Sequence, residues 1–187
     1  VIGYIGTHGM AHKLDFIVET AAKIKDERVH FLFIGNGAEK EKIKILAGQL
    51  KLANCTFLDS VSKDKINEYI SITDVSLVPL KKSDTFKTVI PSKIFENSAM
   101  LKPILLGVEG EAKGIIEKYK AGICFEPENE KELIAAIEKL MMDVDFYNEL
   151  KLGCANLARD FDRIKLADSM LEIIKTTFNK ATKQNEN

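Results

Sequence analysis

Apolar positions along the chain follow two alternating rhythms. Short continuous apolar runs occupy residues 1–6, 29–34, 55–58, 74–79, 103–106 and 122–125. Bounded runs of this length are what strands covered on both faces look like. Between them the spacing turns helical. Leu14, Ile17, Val18 and Ala21 recur at i, i+3, i+4, i+7, and Ile43, Leu46, Ala47 and Leu50 repeat the pattern. Ile66, Tyr69 and Ile70 give a shorter stripe, and Leu133, Ile134, Ile137 and Leu140 a longer one. After about Asp143 no further strand is predicted. Leu166, Met170, Ile173 and Ile174 mark a closing amphipathic helix, followed by the polar KATKQNEN. Such alternation predicts an α/β fold: a Rossmann-like, doubly wound parallel sheet of about six strands with helices on both faces. One domain is expected over 1–175, with a polar tail over 176–187.

Composition narrows the function classes. Of 187 residues, 45% are hydrophobic and 29% charged, which excludes a disordered or fibrous chain. Lys and Arg total 27 against 28 Asp and Glu, so the footprint of a general nucleic-acid binder is missing and no nucleic-acid partner is expected. Cys55, Cys124 and Cys154 form no CxxC and no zinc spacing, and read as reduced thiols of a cytoplasmic protein. No apolar run approaches the ~18 residues of a membrane helix. The chain opens on Val inside a strand-like run, as expected of a piece of a longer protein.

In a doubly wound sheet, ligands bind beyond the carboxyl ends of the strands, where strand order reverses. The loops after the first and fourth strands are expected to flank that crevice. After the first strand comes Gly6-Thr7-His8-Gly9, leading into a helix expected from Met10. Glycines let backbone N–H groups approach an anion, so this turn is a candidate phosphate cradle, with His8 as a possible side-chain donor. A plain tight βα turn is the alternative. A nicotinamide site would also want a carboxylate at the end of the second strand, where Phe33-Ile34-Gly35-Asn36-Gly37 has none. His8, His12 and His30 have no metal-ligand spacing.

After the fourth strand, residues 81–88 form a polar loop carrying Lys81, Lys82 and Lys87. Pro91-Ser92-Lys93-Ile94-Phe95-Glu96 then starts a helix, with Pro91 suited to its first turn and Glu96 expected about one and a half turns in. Lys93 and Glu96 could form an ordinary i,i+3 surface pair.

These segments together resemble a known family. The glycine turn, FIGNGAEKE, FLDSVSKDKINEYI, VSLVPL and above all PSKIFENSAMLKPIL are similar to family 4 glycosyltransferases. More narrowly, they resemble amino-sugar transferases of bacterial surface-polysaccharide synthesis. GVEGEAKGIIEKYKAGICFEPENEKELIAAI extends the likeness, which covers about residues 1–175. The family has a GT-B architecture of two Rossmann-like halves, and this chain resembles the C-terminal, nucleotide-sugar-binding half. The resemblance implies a retaining hexosyl or amino-sugar transferase. Its donor would be a nucleoside diphosphate sugar, UDP being the expected nucleotide, and no metal would be needed. It also implies an acceptor-binding N-terminal half, a lipid-linked acceptor at the inner membrane face, and little activity in this half alone. A sugar-nucleotide epimerase domain and a non-catalytic nucleotide-binding module share the architecture and stay open.

Residue by residue, the likeness makes Glu96 the ribose carboxylate. Gly6, Thr7, His8, Gly9, Lys13, Lys87 and Lys93 become diphosphate candidates, and Ser60, Val61 and Ser62 lie beside the base. Thr88, Val89 and Ile90 fall by the transferred sugar, and Gly107, Glu109, Gly110 and Glu111 border the crevice. No catalytic residue is assigned within this half. The chain departs from the family pattern twice. Thr88 stands where a first glutamate is usual, and Thr7 where a diphosphate arginine is usual, with Lys13, one turn into the following helix, as an expected substitute.

Overall fold

The computed structural model describes residues 1–185, with side chains described through residue 178. Six strands, β1 (Ile2–Ile5), β2 (Phe31–Ile34), β3 (Cys55–Leu58), β4 (Val75–Pro79), β5 (Ile104–Gly107) and β6 (Gly122–Cys124), form one sheet in the order β3-β2-β1-β4-β5-β6. Every pairing is parallel, with Ile2 opposite both Phe31 and Val75 in register. The chain winds outward from β1 to β3, then crosses to β4 and winds outward again. Strand order therefore reverses between β1 and β4, as expected of the usual doubly wound order.

Helices cover both faces: α1 (Leu14–Ala21), α2 (Lys40–Gln49), α3 (Ile66–Ser71), α4 (Lys93–Ala99), α5 (Glu111–Tyr119), α6 (Glu130–Met142), α7 (Val144–Asp160) and α8 (Arg163–Asn185). Period-two alternation along the strands divides the core. Tyr4, Leu77 and Leu105 point into one layer with α1, α2 and α6, while Val78, Ile104 and Leu106 point into another with α4, α5 and α7. Asn129 caps α6 by accepting from the Glu132 N–H at 3.2 Å, and Asp143 caps α7 by accepting from Phe146 N–H at 2.8 Å.

Two features differ from the sequence reading. Helix α7 is not marked by a clear stripe, yet it packs Leu150, Cys154 and Leu157 into the second layer. The Cys154 thiol donates to the Ala121 carbonyl at 3.2 Å, and burial pushes its pKa up to about 11. Helix α8, read as part of the packed domain, leaves Ile164, Met170 and Ile173 exposed. It runs through Asn185, into the stretch expected to be tail; the tail's last two residues lie outside the described residues.

Candidate functional site

The site is built where β1, β2, β3 and the start of α4 meet. After Ile5 the chain turns at Gly6, whose φ of +151° disfavours a side chain. The Tyr4 hydroxyl reaches out of the strand and donates to the Thr7 carbonyl at 2.6 Å, closing the turn from below. Residues Met10–His12 then make a 3-10 turn, and Lys13 takes a left-handed conformation (φ +49°) before α1 begins at Leu14. The helix thus starts four residues later than expected from Met10. The structure corrects the placing of Lys13 one turn inside it: Lys13 precedes the helix, and its ammonium pairs with Asp15 at 3.2 Å. That pair lines a separate mixed-charge cleft of about 300 Å³ with Glu39, Lys42 and Lys81.

His8 is fully buried, and neither ring nitrogen has a hydrogen-bond partner. The ring therefore lies beneath the turn instead of presenting a donor at its surface. Burial, then the positive charges of Lys40, Lys93 and His12, lower its pKa to about 4 and keep it neutral near pH 7. Its backbone locks the turn to the β2 loop, donating to the Asn36 carbonyl at 3.0 Å and accepting from Glu39 N–H at 2.9 Å.

The β2 and β3 loops are stapled in turn by Lys40. Its buried ammonium donates to Asn36 Oδ1 at 2.8 Å, the Leu58 carbonyl at 2.9 Å and Asp59 Oδ1 at 2.6 Å. Asn36 Nδ2 then donates to Ser60 Oγ at 3.0 Å. Together these loops line a cleft of about 250 Å³ whose wall includes Gly6, Thr7, Gly35, Asn36, Ser60 and Val61. Of the residues expected beside a base, Ser60 and Val61 border this cleft, and Ser62 is exposed just beyond it.

On the other side of the reversal point, Lys81 N–H donates to the Ala11 carbonyl at 2.8 Å and ties the β4 loop to the first turn. Lys87 pairs with Asp84 at 2.7 Å, and its carbonyl accepts from Glu111 N–H at 2.9 Å at the start of α5. Thr88, Val89 and Ile90 follow in an exposed stretch. Glu96 falls within the first turn of α4, earlier than the expected turn and a half. Its exposed carboxylate makes no hydrogen bond or ion pair among the described residues, so the i,i+3 pair with Lys93 does not form.

Lys93 turns inward instead. Its Nζ is buried without a hydrogen-bond partner, 4.0 Å above the centre of the Tyr4 ring. A Cβ on Gly6 would come 2.5 Å from that nitrogen, so the ammonium lies directly under the turn. Burial lowers its pKa to about 8, opposed by the Glu96 charge. Tyr4, Asn36 and Lys40 are the site residues missed in the sequence. A hydroxyl-bearing aromatic in an otherwise aliphatic strand was the available signal for Tyr4. Nothing in the sequence distinguishes Lys40 from its exposed neighbours.

Residues 1–152 match the family described as glycosyl transferases group 1. The chain belongs to that family. It is 27% identical over 145 residues to WcaI of Escherichia coli K12, named for colanic acid biosynthesis, covering 76% of this chain and 35% of WcaI. It is also 27% identical over 164 residues to TuaH of Bacillus subtilis 168, named for teichuronic acid biosynthesis, covering 87% of this chain and 40% of TuaH. The chain thus spans well under half the length of these curated relatives. Among solved structures, Anabaena Alr3699/HepE in complex with UDP superposes with a TM-score of 0.82 at 15% identity, over 94% of this chain and 48% of that one. WaaG, a glycosyltransferase of lipopolysaccharide biosynthesis, superposes with a TM-score of 0.74 at 17% identity, over 92% of this chain and 46% of its own. The Rossmann-like sheet is therefore that of one half of a GT-B glycosyltransferase.

Proposed function

We propose that this chain is the donor-binding half of a retaining glycosyltransferase that takes a hexose or amino sugar from UDP. The observation that carries the reading is the cleft over the carboxyl ends of β1, β2 and β3, bounded by a glycine turn with an unpaired cation beneath it and by Ser60 and Val61. In this reading the base rests beside Ser60, Val61 and Ser62, and the ribose hydroxyls donate to Glu96. The diphosphate meets the 6–9 turn, with Lys13, Lys87 and Lys93 as its candidate cations, while Thr88, Val89 and Ile90 border the sugar. HepE, solved with UDP, and the polysaccharide relatives support a nucleotide-sugar donor.

The reaction breaks the bond between the sugar's anomeric carbon and the diphosphate oxygen. A new bond forms to an acceptor hydroxyl, which gives up its proton. Negative charge grows on the leaving diphosphate, and fixed cations and backbone N–H groups aimed at it lower that barrier without a metal. The acceptor, lipid-linked at the cytoplasmic membrane face, and part of the catalytic machinery would come from an N-terminal half, so this half alone would bind donor without turning it over.

A thermal-shift panel of nucleoside diphosphates and their sugar conjugates tests the proposal. UDP or a UDP-sugar at 100 times its Kd adds about 2.7 kcal/mol of stability. Absence of a shift with every nucleotide, or sugar transfer by this chain alone, contradicts it.

A further inference from the structure

Three cations were expected to serve the diphosphate, and the structure separates them by what they already hold. Lys13 is paired with Asp15 and Lys87 with Asp84. Lys40, buried nearby, has its ammonium occupied by three oxygens. Lys93 has none: its nitrogen is out of water, with no hydrogen-bond acceptor and the Tyr4 ring against it, and the Glu96 charge reaches it without forming a pair. An ammonium stripped of water without a paired counter-charge is costly, and the Tyr4 ring offsets part of that cost. Such an arrangement persists where the missing partner is a ligand.

Position points to the class of ligand. The nitrogen lies under Gly6, in the space a side chain there would fill, so the absent Cβ is what lets the amine reach the turn. His8, buried beside it and neutral, adds no competing charge, and both of its nitrogens also lack partners.

We infer that Lys93, stored unpaired on the Tyr4 ring beneath Gly6, is the cation that meets the diphosphate, in place of a turn arginine or of Lys13. The inference rests on the donor-binding reading above. Because Thr7 offers no charge, the turn receives its cation from α4 and not from its own sequence. Binding then joins α4 to β1 through the ligand, so the two sides of the strand reversal close on the same phosphates. Tyr4 acts as a positioning residue: its hydroxyl shapes the turn through Thr7 while its ring holds the amine.

The test compares Lys93→Met with the unaltered chain against three probes: UDP, uridine and inorganic pyrophosphate. Methionine keeps the length of the side chain and its packing on Tyr4 but removes the charge. Lys93→Met should weaken UDP and pyrophosphate by about 10–150-fold, the loss of a charge-assisted contact, and leave uridine within about twofold. Lys93→Gln should show the same split, which protects the test against a packing defect in the methionine variant. UDP binding unchanged by both substitutions, or uridine lost in equal measure, overturns the inference while leaving the donor reading intact. Pyrophosphate binding that depends on Lys93, with no nucleotide bound, keeps the inference and removes the donor reading. No binding of any probe by the unaltered chain overturns both.

Discussion

Gly37 lies against the carbonyl of His8 so closely that a Cβ added to it would overlap that oxygen. The contact fastens the β2 loop to the first turn, alongside the His8–Asn36 and Glu39–His8 backbone bonds. Both loops line the candidate base cleft, so their separation fixes its width. Gly37→Ala should therefore push the loops apart, costing about 1–3 kcal/mol as an overpacked contact does. Urea unfolding measures the loss, and nucleotide titration should show weaker binding in parallel. A variant within about 0.5 kcal/mol of the unaltered chain would mean the loop yields freely.

The buried bases beneath the turn set a pH dependence. The pKa of His8 falls from 6.5 to about 4 and that of Lys93 from 10.5 to about 8. In each case the folded state holds its proton less tightly than the unfolded one, so stability rises with pH across the window. As pH falls from about 6.5 to 4, His8 should cost on the order of 2 kcal/mol of stability. Between pH 8 and 10.5 the cost of burying charged Lys93 should be relieved. Tyr4, His8 and His12 face Lys93 from β1 and the first turn, and Glu96 from its own helix; Lys40 acts on His8. Lys93→Met should therefore be more stable than the unaltered chain at pH 7, lose the alkaline rise, and raise the pKa of His8. Denaturation at pH 5, 7 and 9 checks all three; equal stability at pH 7 would mean that Lys93 is solvated.

The sheet was legible because its inner strands, covered on both faces, are apolar almost throughout and too short for helices. The reversal point followed from topology, and with it the first-strand turn, whereas the other walls of the cleft come from the loops after β2 and β3. Local geometry was less accessible. Met10 reads as the first apolar residue of a helix, yet it stands 73% exposed on a 3-10 turn that His12 N–H closes onto the Gly9 carbonyl. In α7, Gly153 interrupts the stripe because the helix passes against the Lys120 carbonyl, where a side chain has no room. Spacing alone paired Lys93 with Glu96. The Tyr4 ring, 89 positions earlier in the chain, draws the amine inward instead, a long-range contact that i,i+3 arithmetic cannot register.

Glu96 remains exposed and unengaged, free to receive ribose hydroxyls. Glu96→Ala should weaken UDP by about 10–150-fold through lost hydrogen bonds to a charged acceptor. Glu96→Gln keeps an acceptor oxygen and should recover part of the loss. Glu96 makes no ion pair with Lys93, yet its charge favours the protonated amine, so uridine, which has no phosphate for Lys93 to meet, serves as the control and should weaken in step with UDP. Titration calorimetry on both variants decides the matter: affinities within about twofold of the unaltered chain would remove Glu96 from the site.

Thr88 bears on how the donor's binding energy is divided. A carboxylate at this position would accept strong hydrogen bonds from sugar hydroxyls, whereas a neutral hydroxyl makes fewer and weaker ones. Val89 and Ile90, next along the exposed stretch, add no polar contact to replace them. Beneath the turn, by contrast, Lys93 offers an unpaired charge to the phosphates. Most of the affinity should therefore come from the nucleotide, and UDP should bind within about fivefold of its sugar conjugate, or roughly 1 kcal/mol. Removing the sugar leaves an extra phosphate charge, which favours UDP in the field of Lys87 and Lys93. Because Lys87 is exposed and Lys93 buried, only the Lys87 share of that preference should fade as salt rises. Affinities for UDP and its conjugates, measured at low and high salt, test this. A conjugate that binds tens of times tighter than UDP at both would show that the sugar is held by contacts other than Thr88.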